Sequence, residues 1–213
     1  YAYGNQPGIV QWNLARLAEA LLPLLAAEGE DGIEPAVERA TAVLRGFPER
    51  YRQHRAAGVR AKLGLGGAGD EGAGREGDDA LVEDLLALLH AHRADFTSSF
   101  RALARALAGD EARLRALVPD ASALDAWLAR WRGRVGGDPA EVAAAMDRVN
   151  PAYIPRNHRV EEALAAATAG DLLPFRRLVE VVTRPYDEQP GLESFAEPAP
   201  AEAAACYRTF CGT

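Results

Sequence analysis

The fold class is decided by residues 80–107, which read ALVEDLLALLHAHRADFTSSFRALARAL. In the first half of this stretch, leucines recur at steps of three and four residues, from Leu81 to Leu89. After Asp95 the same spacing continues with Phe96, Phe100, Leu103 and Leu107. Such spacing places apolar side chains on one face of a helix, and it predicts two amphipathic helices in succession.

The same periodicity extends over most of the chain, and no segment has the alternation typical of a strand. We therefore predict an all-α fold of about nine or ten helices around one core. Besides the two helices above, the predicted helices begin near Ile9, at Glu34, after Asp110, after Ser122, after Asp138, at His158, at Leu173 and at Glu202. Asp110, Ser122 and Asp138 are the expected N-caps. Pro23 and Pro48 are expected to kink or end the helices that contain them.

Composition excludes several classes of protein. The chain has 213 residues, is 48% hydrophobic and carries a net charge of -7. This acidic balance favours solubility and argues against a general nucleic-acid-binding surface. No apolar run approaches the length of about 18 residues that predicts a membrane-spanning helix, and no secretory signal is visible at Tyr1. Because the chain starts with tyrosine, either processing has removed a segment or the sequence is a fragment.

Only two cysteines are present, Cys206 and Cys211, and they lie close together near the end of the chain. A stabilising disulfide normally closes a long loop, so we expect no disulfide framework and a reducing, cytoplasmic location. A thiol on a terminal tail can act as a redox element, which makes Cys211 the one candidate redox residue. An incidental terminal cysteine is the alternative.

Residues 64–79 are rich in glycine and lack periodic apolar residues, which predicts a flexible loop. Residues 64–69 formally spell G-x-G-x-x-G. A phosphate-binding loop of this type needs a strand before the glycines and a helix after them. Here a predicted helix precedes them and more glycine follows, so we interpret the segment as a linker. A domain boundary at this place is possible but not required.

Other chemistry-bearing residues form no recognisable catalytic or metal-binding pattern. His90 and His92 are two residues apart on a predicted helix and so do not share a face, which disfavours a zinc site. Ser98 and Ser99 lack an evident base and oxyanion donor. From the residues alone we assign no catalytic, cofactor-binding or metal-binding side chain.

Several segments together resemble one protein family. They read YAYGNQP (1–7), WNLARLAEAL (12–21), RAKLGL (60–65), NPAYIPRNH (150–158), VEEAL (160–164), PYDEQPG (185–191) and YRTFCGT (207–213). In this order they resemble the C-terminal half of the selenoprotein O (SelO) family of protein adenylyltransferases. The resemblance spans the whole chain, and the segments 153–158 and 185–191 are its most specific parts.

The resemblance implies a protein-kinase-like fold that transfers AMP from ATP to Ser, Thr or Tyr hydroxyls of proteins, assisted by Mg²⁺ or Mn²⁺. It also implies that the residues that bind ATP and metal precede Tyr1. Lys62, the single lysine, lies too late in the chain to be the family's phosphate-binding lysine. Residues 1–213 would then form one helical C-lobe region without its N-lobe. Residues 184–213 would form a Pro-rich tail ending near Cys211, where the family carries selenocysteine or cysteine and is linked to redox control.

Two functional hypotheses follow. In the first, the chain is the helical scaffold of an adenylyltransferase, and its partners are the protein substrates and the missing N-terminal kinase-like portion. In the second, the chain acts alone as a helical binding or regulatory module without enzymatic activity. Neither hypothesis involves nucleic acid or a membrane.

Overall fold

A computed structural model describes residues 3–26, 32–65 and 74–200. These residues contain ten α-helices and two short 3-10 helices, at Tyr3–Asn5 and Glu193–Phe195. The α-helices are α1 (Gln6–Leu25), α2 (Glu34–Arg45), α3 (Phe47–Lys62), α4 (Gly74–Ala91), α5 (Phe96–Leu107), α6 (Ala112–Leu117), α7 (Ala121–Arg134), α8 (Pro139–Val149), α9 (Asn157–Thr168) and α10 (Leu173–Val182). The described part of the chain contains no strand, so the predicted all-α class is confirmed.

Capping side chains explain where three of the described helices begin. The carboxylates of Asp95 and Asp138 accept hydrogen bonds from backbone N–H groups in the first turns of α5 and α8, as N-caps do. The prediction that Ser122 caps a helix is wrong. Asp120 comes two residues earlier and accepts from Ala123 N at 3.0 Å, so α7 already begins at Ala121.

Two predicted proline breaks have different outcomes. The break near Pro48 is confirmed, but it lies at Gly46, and Pro48 occupies the second position of α3, where a missing N–H costs nothing. Pro23 lies in the last turn of α1, which ends two residues later at Leu25. Within the predicted loop 64–79, residues 66–73 lie outside the described residues and residues 74–79 are helical. The predicted helix near Glu202 also lies outside them.

The described residues divide into two compact units, with the boundary between Gly58 and Val59 inside α3. In the first unit α1 packs on α2, and Ala36 is fully buried. The prediction of a single helical region over residues 1–213 stays a prediction.

The main hydrophobic core lies in the second unit, where α4 packs on α7 and α5 packs on α6 and α8. Its fully buried large side chains include Leu63, Leu81, Leu103, Leu124, Trp131 and Met146. A smaller cluster around Tyr153 and Val181 joins the segment after α8 to α10 and to the 3-10 helix. No helix among the described residues has the length and apolar character needed to cross a bilayer.

Candidate functional site

The residues that carried possible chemistry in the sequence are not brought together. His54 and His90 are exposed, while His92 and His158 are half-buried. The Ser99 hydroxyl donates to the Asp95 carbonyl one helical turn back, at 2.7 Å. Among the described residues, no group of three or more His, Cys, Asp or Glu side chains could hold a metal ion. Cys206 and Cys211 lie outside these residues, so the redox role of Cys211 stays a prediction.

Polar residues of the segments that resemble the SelO family instead form buried contacts between helices. Arg156, just before α9, donates two hydrogen bonds to the Asp95 carboxylate at 2.6 and 2.8 Å, and a third to the Ala196 carbonyl at 2.9 Å. Burial disfavours ionisation of Asp95, but the hydrogen bonds from Arg156 and Ser98 outweigh it and lower its pKa from 3.8 to about 2. This pair ties α5, α9 and the C-terminal segment together.

A second contact centres on the nearly buried guanidinium of Arg101 in α5. Its Nη1 donates to the carbonyls of Asp147 and Asn150, both at 3.2 Å, and its Nη2 donates to the Glu188 carboxylate at 2.5 Å. Burial raises the pKa of Asp147, although Arg101 opposes this change. For Glu188, hydrogen bonds from Arg101 outweigh burial and lower the pKa. Arg101 thus holds the end of α8 against the segment 185–191.

A third contact involves Lys62, at the end of α3. Its Nζ donates to the Val149 carbonyl at 3.0 Å and to Asn150 Oδ1 at 3.2 Å, and the Asn150 amide returns a hydrogen bond to the Lys62 carbonyl at 2.8 Å. Asn150 is fully buried, and Lys62 Nζ also lies 5.8 Å from the Phe100 ring centre. Burial lowers the pKa of Lys62. Its hydrogen bonds join α3 to the end of α8.

A fourth contact centres on a buried carboxylate in α4. Asp78 in α4 has no exposed surface, and its two oxygens lie 3.0 Å from Arg60 Nε and 2.9 Å from Arg134 Nη2. Asp78 Oδ1 accepts a hydrogen bond from Arg134 Nε at 2.9 Å, while Oδ2 is paired with the charge of Arg60. A buried charge is tolerated when opposite charges surround it in this way. The contact joins α3, α4 and α7.

The fifth contact connects the two most specific sequence segments. The backbone N–H groups of Ala152 and Tyr153 both donate to the Pro185 carbonyl, at 2.7 and 3.1 Å. The Tyr153 hydroxyl accepts from Gln189 N at 3.2 Å. The buried Gln189 amide donates to the carbonyls of Val181 and Arg184, both at 3.0 Å. These bonds add side-chain donors to one carbonyl at the end of α10 and to one in the turn after it.

A pocket of about 160 Å³ opens beside these contacts. Charged side chains line it in opposed pairs: Arg101 and Arg105 with Glu188, and Arg113 with Glu197. Because each arginine is engaged by a carboxylate, the pocket offers no clear preference for an anion or a cation. Its charged side chains therefore serve to connect helices.

In most of these contacts, the sequence segments that resemble the family contain one of the two interacting residues but not its partner. Arg60, Lys62, Asn150, Arg156 and Gln189 all belong to the quoted segments. Their partners Asp78, Asp95 and Arg101, which lie in α4, just before α5 and in α5, carried no distinguishing signal in the sequence. The contacts span large sequence separations, for example 61 residues between Asp95 and Arg156, so no local pattern could reveal them.

Comparison with known proteins matches this chain to one family. The family model "Protein adenylyltransferase SelO" matches residues 1–183. A protein nucleotidyltransferase YdiU of Cereibacter sphaeroides (strain ATCC 17029 / ATH 2.4.9) is 54% identical over 213 residues, all of this chain and 41% of that relative. Proteins of the same name are 52% identical in Mycobacterium sp. (strain KMS), across 41% of their length, and 50% identical in Rhodococcus jostii (strain RHA1), across 40%. The chain thus spans well under half of these relatives, and it belongs to the SelO family of protein adenylyltransferases.

Proposed function

We propose that the whole protein to which this chain belongs transfers AMP from ATP to Ser, Thr or Tyr hydroxyls of other proteins. The observation that carries this proposal is the family match over residues 1–183, together with 54% identity to a protein nucleotidyltransferase across the entire chain. The relatives' printed names support nucleotidyl transfer. ATP as donor and proteins as acceptors follow from the family's description.

Within that protein, we propose that this chain is the helical C-lobe of a kinase-like fold and contributes no catalytic side chain. Its distinctive polar residues support this assignment, because Arg60, Lys62, Asn150, Arg156 and Gln189 are all engaged in contacts between helices. The family resemblance implies that ATP and Mg²⁺ or Mn²⁺ bind in the portion of the protein outside this chain, and we propose that this portion is also its partner. The expected location is the cytoplasm.

The proposal is tested with ATP labelled at the α-phosphate or at the γ-phosphate, incubated with the whole protein and a mixture of candidate acceptor proteins. We expect label from the α-position to appear on protein hydroxyls and label from the γ-position to be absent. Transfer of the γ-label would contradict AMP transfer. The 213-residue chain, assayed in parallel, is expected to transfer neither label, and labelling by it would contradict its role as a scaffold.

A further inference from the structure

Helix α1 carries an apolar stripe that nothing in its own unit covers. Val10, Leu17, Leu21 and Leu24 lie within about 60° of one another around the helix axis, because their spacings of seven, four and three residues match whole turns. All four are exposed, with Leu17 at 53% and Leu24 at 81%. α1 contains no buried residue at all. A row of large apolar side chains in water is typical of a surface that another protein segment covers.

The stripe is separate from the face that packs on α2. Gln11, Ala18 and Leu22 are half-buried and lie about 110° away around the helix. Gln11 Nε2 donates to the Leu44 carbonyl in α2 at 3.4 Å, and Arg39 of α2 donates to the Leu25 carbonyl at 2.7 Å. The hairpin between α1 and α2 is therefore complete without the stripe.

A third side of α1 carries charged side chains, together with the exposed Ile9 and Trp12. Arg16 pairs with Glu19 at 2.5 Å, and the Arg16 guanidinium lies 5.5 Å from the centre of the Trp12 ring. α1 thus has one face toward α2, one face with charged side chains and one exposed apolar face. A helix with two apolar faces is typical of a position between two layers of protein.

We propose that this stripe docks on the portion of the SelO protein that lies outside this chain. This inference rests on the proposed function only in assuming that the whole protein has the length of its relatives. The chain covers 41% of those relatives, so more than half of such a protein is available to cover α1. The family match also begins at residue 1, so α1 belongs to the part of the chain that the family shares. The stripe contains no charged side chain, so the covering surface is itself apolar.

Carbene footprinting of the whole protein, read by mass spectrometry at single residues, tests this docking. We expect the labelling of Leu17, Leu21 and Leu24 to be at least about fivefold lower than that of Leu173. Leu173 serves as the reference because it is 72% exposed at the start of α10. Labelling of the stripe equal to that of Leu173 would overturn the proposal. So would protection that disappears on dilution, because the stripe would then be covered by a second copy of the protein.

A pair of substitutions in the whole protein provides a second measurement. Leu24→Glu is expected to lower the thermal unfolding midpoint or to abolish soluble expression, whereas Leu173→Glu is expected to leave both unchanged. Equal tolerance of both substitutions would contradict docking at α1. Footprinting reports burial and not AMP transfer, so the docking and the proposed activity can fail independently.

Discussion

At the scale of single residues, Gly64 shows how a backbone requirement and a packing requirement coincide. It follows α3 with a φ of +68°, a conformation that favours glycine. A Cβ atom there would lie 2.6 Å from Val142 Cγ1 and 3.0 Å from Met146 Sδ. The chain can therefore turn between the buried residues Leu63 and Leu65 only because position 64 has no side chain.

We expect Gly64→Ala to lower the free energy of unfolding of the 213-residue chain by about 2–4 kcal/mol, measured by urea denaturation. The matched control is Gly170→Ala, where φ is +91° and no atom lies within 4 Å of the added Cβ. We expect Gly170→Ala to lower the free energy of unfolding only by the cost of the positive φ, about 1–2 kcal/mol. Equal losses for the two variants would show that the contact with Val142 and Met146 is unimportant.

Asp95 gives a prediction about pH. Because its folded-state pKa of about 2 lies below the ordinary value of 3.8, the unfolded chain takes up the proton first as the pH falls. The stabilisation from this carboxylate is thus fully present above about pH 4 and is lost as the pH approaches about 2. Allowing for its partial contact with water, we expect it to contribute about 1–2 kcal/mol.

The measurement is urea unfolding of the chain and of Asp95→Asn between pH 5 and pH 2. Asparagine keeps an oxygen for the N-cap of α5 but cannot pair with Arg156 as a charge. The advantage of the wild-type chain should stay constant from pH 5 to about pH 4 and shrink as the pH falls from about 4 to about 2. A difference that stays constant with pH would exclude the Asp95–Arg156 pair as its source.

At the scale of elements, α7 joins two other helices through a pair of tryptophans. Trp127 Nε1 donates to the Leu81 carbonyl in α4 at 2.9 Å, and Trp131 Nε1 donates to the Leu63 carbonyl after α3 at 2.8 Å. Their rings stack with centres 5.5 Å apart. Each tryptophan therefore contributes both core volume and a buried hydrogen bond.

We expect Trp131→Phe to destabilise the chain by about 2–3 kcal/mol, because it leaves a cavity and a buried carbonyl without its donor. Trp12→Phe is the control. Trp12 is 60% exposed, so its replacement should change the unfolding free energy by no more than about 0.5 kcal/mol. Similar effects of the two substitutions would contradict the role of Trp131 in the core.

Gln189 holds the proline-rich segment in place after α10. Gln189→Ala removes the donors to Val181 and Arg184, so we expect the segment around 185–197 to separate from the body of the chain more often. Hydrogen exchange at the amides of Ala152 and Tyr153, which bond to Pro185, should become about tenfold faster or more. Amides in α7 provide the internal reference. Unchanged exchange at residues 152 and 153 would mean that Gln189 does not anchor the segment.

The helices themselves were largely predictable, because local signals determine them. The Asp138-Pro139 start and the range of α10 were predicted from caps and periodicity, and the structure has them there. Ser122 was a wrong cap because two suitable residues lie close together and only helix geometry selects Asp120. The contacts of Arg101 and Arg156 could not be predicted, since they depend on how separate helices pack.

At the scale of the whole molecule, the polar residues of the SelO segments connect helices that are distant in sequence. Lys62 reaches the end of α8 and Arg156 reaches the N-terminus of α5. Removing one partner of such a buried pair is costly, because the other charge or donor is left without compensation. Within the described residues, the segments 60–65, 150–158 and 185–191 thus hold the helices of this chain together.

The most direct test measures AMP transfer and thermal unfolding together, in the whole protein carrying Arg156→Lys or Gln189→Ala. Arg177→Ala, which removes only an exposed pair with Glu180, is the control. We predict that kcat and the KM for ATP of the folded variants stay within about twofold of wild type, while a loss of about 1–2 kcal/mol lowers the unfolding midpoint by several degrees. A fall in kcat of about 100-fold with an unchanged midpoint would show that these residues serve catalysis and would contradict the account.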